Sequence, residues 1–198
     1  MKSLRIVAAA LILGSGAQAA GPVDPDWPCI QRRVPHLSLG QVWAGPLPDP
    51  VIEELADTAP VQGVARALAL RRTPMPEAEA LIAGYAETAD AAALTALFVA
   101  TLEHIDTSRD RVLAGITRYA HKQTDLDHHI KEARKEFAAL TEAESQDFDR
   151  LDALEADIDW STRIFLDRQQ SLTYVCETPV ILEQRAFALG RAVMAHLP

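Results

Sequence analysis

Apolar residues between positions 112 and 140 recur at alternating intervals of four and three residues. This heptad rhythm is typical of a helix that packs lengthwise against another helix. Gln123 is the one plainly polar member, and a polar residue in such a seam fixes the register of the two helices. The pattern therefore predicts a long helix here. The series consists of Val112, Ile116, Tyr119, Gln123, Leu126, Ile130, Ala133, Phe137 and Leu140.

A second apolar series runs from Phe148 to Leu172 at intervals of three, four and seven residues. The rhythm breaks before it, where Thr141 and Glu144 have the Ser/Thr-x-x-Glu spacing of a capping box that starts a new helix. This break favours an antiparallel hairpin over 107–175 with its tip near 141–147. The alternative is one unbroken helix of about 60 residues. A monomer could not bury such a helix, so this alternative implies a homodimer through the long helix.

The segment 20–49 holds six of the twelve prolines and shows no sustained periodicity. Because proline fixes φ and removes a backbone donor, we expect an extended arm. Its large apolar side chains, including Trp27 and Trp43, favour burial. The arm is therefore predicted to lie across a helical body.

Prolines at suitable helix starts divide residues 50–106 into short helices. A last helix is predicted from Pro179 to His196, with Thr178 as its N-cap, in a C-terminal segment 176–198 that packs on the bundle. The short helices are expected near 50–57, 60–71 and 76–87 and from Asp90 to about Ile105.

The predicted fold class is therefore all-α. A small helical bundle carries a long antiparallel, coiled-coil-like hairpin and an extended proline-rich N-terminal arm. Residues 20–198 are expected to form one domain, since the chain of 198 residues falls within the usual range for one.

Residues 1–19 have the pattern of a signal peptide. Lys2 and Arg5 precede an eight-residue apolar run, and a small-x-small triplet ends at Ala19. We expect cleavage after Ala19 or Ala20 and a periplasmic destination. No run approaches the about 20 apolar residues of a membrane-spanning helix, so no span is predicted.

Cys29 and Cys176 are the only cysteines. An even count in an oxidising compartment predicts a single disulfide between them. The sequence has no Cys-x-x-Cys pair, which argues against redox exchange and c-type haem. No cofactor is predicted.

Four residues at helical spacing raise the question of a metal site. His121, Asp125, His128 and Glu132 fall on one helical face, and imidazole and carboxylate groups are ligands of divalent metals. The heptad register points this face away from the seam into water, whereas catalytic metal sites are usually sheltered. A solvated face is the preferred interpretation, with a metal-binding protein or enzyme as the alternative. No catalytic residue is predicted.

The net charge of the chain is strongly negative, and much of it lies in one segment. The formal charge of −9 excludes a general nucleic-acid binder, and it becomes −11 without the two cations of the signal. Residues 141–160 alone carry −7. Acidic groups favour helix N-termini and solubility, and the alternative is a docking surface for a basic partner. The candidate docking residues are Glu142, Glu144, Asp147, Asp149 and Asp152.

Taken together, these patterns favour an exported interaction module, either an adaptor or a chaperone-like accessory protein, with a protein partner that the sequence does not identify. A dimeric envelope spacer is the structural alternative. No nucleophile-elbow, zinc-protease, Walker or dinucleotide-binding motif occurs after the signal.

Overall fold

The computed structural model describes residues 24–198, so the predicted signal peptide 1–19 lies outside the described residues. Within that range the chain forms helices and no strand, which confirms the all-α fold class. The helices are α1 (Leu39–Val42), α2 (Pro50–Ala56), α3 (Ala59–Ala69), α4 (Met75–Ala86), α5 (Ala91–Thr141) and α6 (Phe148–Met194).

Aspartates start three of the helices. Asp49 accepts a hydrogen bond from the Ile52 amide at 2.9 Å, and Asp90 accepts one from the Ala93 amide at 2.8 Å. Asp147 caps α6 in the same way. Each carboxylate satisfies one of the amides that a helix start leaves without a partner.

The helices α5 and α6 form the predicted antiparallel hairpin. The two helices are antiparallel, because residues later in α5 contact residues earlier in α6. Tyr119 Oη donates to the Arg168 carbonyl at 2.6 Å, and Gln123 Nε2 donates to the Phe165 carbonyl at 3.1 Å. Residues 142–147 connect the helices. The alternative of one unbroken helix is therefore wrong for this chain.

The heptad series lies between the two helices, because every one of its members is buried or half-buried. Ile130 and Ala133 are buried on α5, and Leu154 and Ser161 are buried on α6. The polar position at Gln123 bonds across the seam, as a register-fixing residue does. Burial also raises the pKa of the Tyr119 hydroxyl.

Two predicted helix boundaries are wrong. The helix expected to end near Ile105 continues to Thr141 as a single helix of 51 residues. The helix expected to start at Pro179 is instead the last part of α6. Thr178 does not act as an N-cap, since its hydroxyl donates to the Tyr174 carbonyl one turn earlier at 3.4 Å.

Tertiary packing accounts for the helix running through Pro179. Cys176, Pro179 and Leu182 are all buried at intervals of three residues, so one face of α6 is held against its neighbours across the proline. Proline removes one helical hydrogen bond, and burial on both sides of it offsets that loss, so that the helix continues to Met194.

Two further local predictions need correction. The box at Thr141 and Glu144 does not start a helix, since Asp147 is the N-cap of α6. The arm also contains a helical turn, α1, which the sequence did not predict. The signal for it was Ser38 and Gln41: the Ser38 amide donates to Gln41 Oε1 at 3.0 Å.

The main core lies at one end of the hairpin. Side chains from the arm, from α2 to α4, from the first turns of α5 and from the last turns of α6 pack together there, and we call this end the base (residues 34–109 and 179–197). Trp43 of the arm stacks on Phe98 of α5 with ring centroids 4.6 Å apart. Both tryptophans of the arm are buried, as the sequence predicted.

The arm is fastened to the hairpin at several points. Cys29 and Cys176 form the predicted disulfide, 147 residues apart in sequence. Trp27 packs beside it against Leu113 and Ile116 of α5. The arm therefore lies along the place where the base ends and the stem of the hairpin (residues 112–140 and 153–175) begins.

Buried polar groups fasten the arm further along. Arg109 is only 2% exposed and donates to the Val34 carbonyl at 3.0 Å and to Asp106 at 3.3 Å. Asp106 also accepts from the Leu37 amide at 3.0 Å. A buried guanidinium is costly without partners. These bonds supply partners for Nη1 and Nη2, whereas Nε has none among the described residues.

The two long helices and the arm come into close contact at Gly190. A methyl group added there would lie 2.5 Å from the Val42 carbonyl oxygen and 3.1 Å from the Phe98 ring. Glycine at this position lets α6 lie directly on the arm.

We expect Gly190→Ala to lower the free energy of unfolding by about 1 to 3 kcal/mol, because neither the backbone nor the ring can move away cheaply. Gly63→Ala is the matched control, since nothing lies within 4 Å of an added methyl there. That change in α3 should stabilise the protein by about 0.5 to 1 kcal/mol. Urea denaturation of both variants checks the prediction, and equal effects would contradict it.

Replacing both cysteines by serine should lower the stability by about 2 to 5 kcal/mol, because the bridge closes a long loop and restricts the unfolded chain. Urea denaturation followed by circular dichroism measures the loss. Reductant should have the same effect on the parent protein and none on the double variant. A loss below about 1 kcal/mol would show that packing alone holds the arm.

Candidate functional site

The tip of the hairpin (residues 142–152) is the candidate site that the sequence predicted and the fold isolates. The five candidate docking residues all lie on it and all are exposed: Glu142, Glu144, Asp147, Asp149 and Asp152. Residues 142–147 form the connection and residues 148–152 form the first turn of α6. The fold therefore brings the five together at one end of the molecule.

The tip carboxylates differ in how they are engaged. Asp147 caps α6 by accepting from the Arg150 amide at 3.1 Å. Arg150 itself pairs with Glu136 of α5 at 2.6 Å, and this ion pair joins the two helices next to the tip. Among residues 24–198, the other four candidates have no cationic side chain within 4 Å. Their charge is available to a partner.

An apolar ring accompanies these charges. Phe148 is the first residue of α6 and is 69% exposed. An exposed phenylalanine beside carboxylates combines an apolar anchor with a charged rim, which is the usual composition of a protein interface. Phe148 opens the second apolar series of the sequence, and that pattern gave no sign of its exposure.

The stem gives the tip a fixed position. Besides the seam, His129 pairs with Asp157 at 2.7 Å and Arg150 with Glu136 at 2.6 Å, and both pairs bridge α5 and α6. At 1.5 Å per residue the tip stands about 40 Å along α6 from the disulfide. Contacts made at the tip are thus remote from the core at the base.

The predicted histidine face is solvent-exposed. His121, Asp125, His128 and Glu132 are all exposed, as their heptad positions indicate. His121 Nε2 faces Asp26 of the arm at 2.5 Å, so its nearest carboxylate is not one of the predicted ligands.

One other group of metal-ligating side chains meets within the described residues. His36 Nδ1 lies 3.2 Å from Asp106 Oδ2 and 3.7 Å from Asp110 Oδ1. His36 belongs to the arm and the aspartates to α5, so no spacing in the sequence could have revealed the group. His36 and Asp110 are exposed, and the hydrogen bond between His36 and Asp106 adds to the fastening of the arm.

Among residues 24–198, no helix is long and apolar enough to cross a membrane. Comparison of the chain with family models, curated proteins and solved structures gives no match.

We expect Asp147→Ala to fray the first turn of α6 and to lower the free energy of unfolding by about 1 kcal/mol, because the Arg150 amide loses its acceptor. Asp147→Asn keeps a capping oxygen while it removes the charge, and should leave the turn intact. Amide hydrogen exchange of residues 148–152 distinguishes the two variants. Equal protection in both would mean that the cap does not hold the turn.

Proposed function

We propose that this protein is an exported interaction module, of adaptor or chaperone-like type, that docks on a partner protein through the tip of its hairpin. The observation that carries the proposal is the set of four tip carboxylates that have no cationic partner among residues 24–198, on the same tip as the exposed Phe148. A stem that stands clear of the core presents this set to a second protein without changing the base.

The chemistry of the tip defines the partner. A surface of lysine or arginine side chains complements the carboxylates and raises the rate of association. A shallow apolar depression within that surface would accept the Phe148 ring, and an anchor of this kind carries most of the affinity in many interfaces. The partner is therefore a protein with a basic surface around an apolar pocket.

The periplasmic location is part of this proposal. It is supported by the signal-peptide pattern of residues 1–19 and by a disulfide, which persists in oxidising compartments. An accessory protein of this type would act beside the envelope system that it serves.

The test uses the full-length protein in its native cell. A photo-crosslinking residue at Glu144 should capture one discrete partner, and the same residue at Arg163 on the stem should not. A quadruple variant removes the charge that attracts the basic surface, and it should weaken binding of the purified partner at least tenfold. Its four substitutions are Glu142→Gln, Glu144→Gln, Asp149→Asn and Asp152→Asn. Asp147 stays unchanged to preserve the cap.

A charge-matched control comes from the base. The variant Glu53→Gln, Glu54→Gln, Glu77→Gln and Glu79→Gln removes the same charge from exposed positions far from the tip. Its affinity for the partner should stay within about twofold of the parent value at constant salt. Equal losses in both variants would show that net charge, and not the tip, governs the interaction.

A further inference from the structure

Arg185 lies on α6 at the base, where the short helices pack against the hairpin. Its Nε donates to the Leu68 carbonyl at the end of α3, at 2.8 Å. Its Nη1 has only the Met75 sulfur, at 4.0 Å, and a thioether is a weak acceptor. Its Nη2 is buried and has no hydrogen-bond partner among the described residues. The guanidinium is therefore only partly satisfied.

No carboxylate balances this charge. Among residues 24–198 no acidic side chain lies within 4 Å of Arg185, and residues 1–23 contain neither aspartate nor glutamate. Burial lowers the pKa of the Arg185 guanidinium. Withdrawing a cation from water without a counter-charge is unfavourable. Because the chain as a whole has a net charge of −9, the lack of a carboxylate beside Arg185 is a specific feature of this site.

An open cavity of about 350 Å³ lies beside this side chain. That volume falls within the range of small-molecule binding sites. A second arginine and a glutamine amide reach it, and the rest of its wall is apolar. The lining residues are Arg71, Met75, Ile181, Gln184, Arg185 and Ala188.

We propose that this cavity binds a small organic carboxylate with an apolar chain. The carboxylate is held by Arg185 and Arg71, and the chain lies against Met75, Ile181 and Ala188. A carboxylate oxygen in place of the Met75 sulfur turns the weak contact of Nη1 into a charge-assisted hydrogen bond. Methionine is flexible enough to turn aside for it.

The walls favour a carboxylate over a phosphate ester. Guanidinium groups bind both, but a phosphate ester brings more charge into a cavity with three apolar side chains. A carboxylate carries a single charge and matches the planar fork of arginine. The apolar wall then gains from burying a hydrocarbon chain.

Octanoate is the probe, and its binding is measured by isothermal titration calorimetry. Acetate, which has the carboxylate without the long chain, and octanol, which has the chain without the carboxylate, are the control ligands. Octanoate should bind with one site per chain, and acetate and octanol should each bind at least tenfold more weakly. Arg185→Met keeps a long apolar side chain and should weaken octanoate binding about tenfold or more, as the loss of a charge-assisted bond predicts. Arg163→Met on the exposed stem is the control and should bind octanoate like the parent.

Two further variants keep the test decisive if Arg185→Met fails to fold. Arg71→Met, at an exposed position, should also weaken octanoate binding, and Ala188→Phe should abolish it by filling the cavity. Equal binding of octanol and octanoate would overturn the proposal, because the arginines would then add nothing. Unchanged octanoate binding in Arg71→Met and Ala188→Phe would overturn it as well. None of these positions lies at the tip, so the outcome is independent of the proposed docking function.

Discussion

The packing of α5 against α6 organises the molecule, because these two helices supply the stem and also two walls of the core. Along the stem they bury only a narrow seam, so most of each helix surface stays in water. At the base the same helices are covered by the arm and by α2 to α4. Stability is therefore concentrated at the base, whereas the tip is held by the Asp147 cap and by the Arg150–Glu136 ion pair.

This division separates two kinds of chemistry. The tip carries exposed carboxylates and one exposed ring, and Asp147 is the one of the five candidate carboxylates that also caps α6. The base carries the partly satisfied guanidinium of Arg185 and the cavity beside it. A protein ligand at the tip and a small anion at the base would each bind without displacing the other, since the whole stem lies between them.

The arm links the start of the stem to the core. It crosses the start of the stem, where the Cys29–Cys176 disulfide and Trp27 hold it, and continues into the core through Trp43. Its polar fastening at Arg109 and Asp106 uses backbone groups of residues 34 and 37 that an extended segment leaves without helical partners. An arm rich in proline suits this role, because it keeps its carbonyls available to side chains of the helices.

By itself the sequence determined the helical class, the seam of the heptad series and the pairing of the only two cysteines, and it favoured a hairpin with its tip near 141–147 over one unbroken helix. The helices, their seam and the hairpin follow from the spacing of apolar residues and from the break in that spacing, which are local properties of the chain. The disulfide follows because two cysteines allow only one pairing. Only the tertiary structure decided that α6 continues through Pro179, because burial on both sides of the proline outweighs its missing hydrogen bond. It alone also brought His36 to Asp106 and placed Arg185 beside a cavity, with no acidic side chain of residues 24–198 within 4 Å. Contacts between residues so distant in sequence depend on how the helices pack, and no spacing along the chain encodes them.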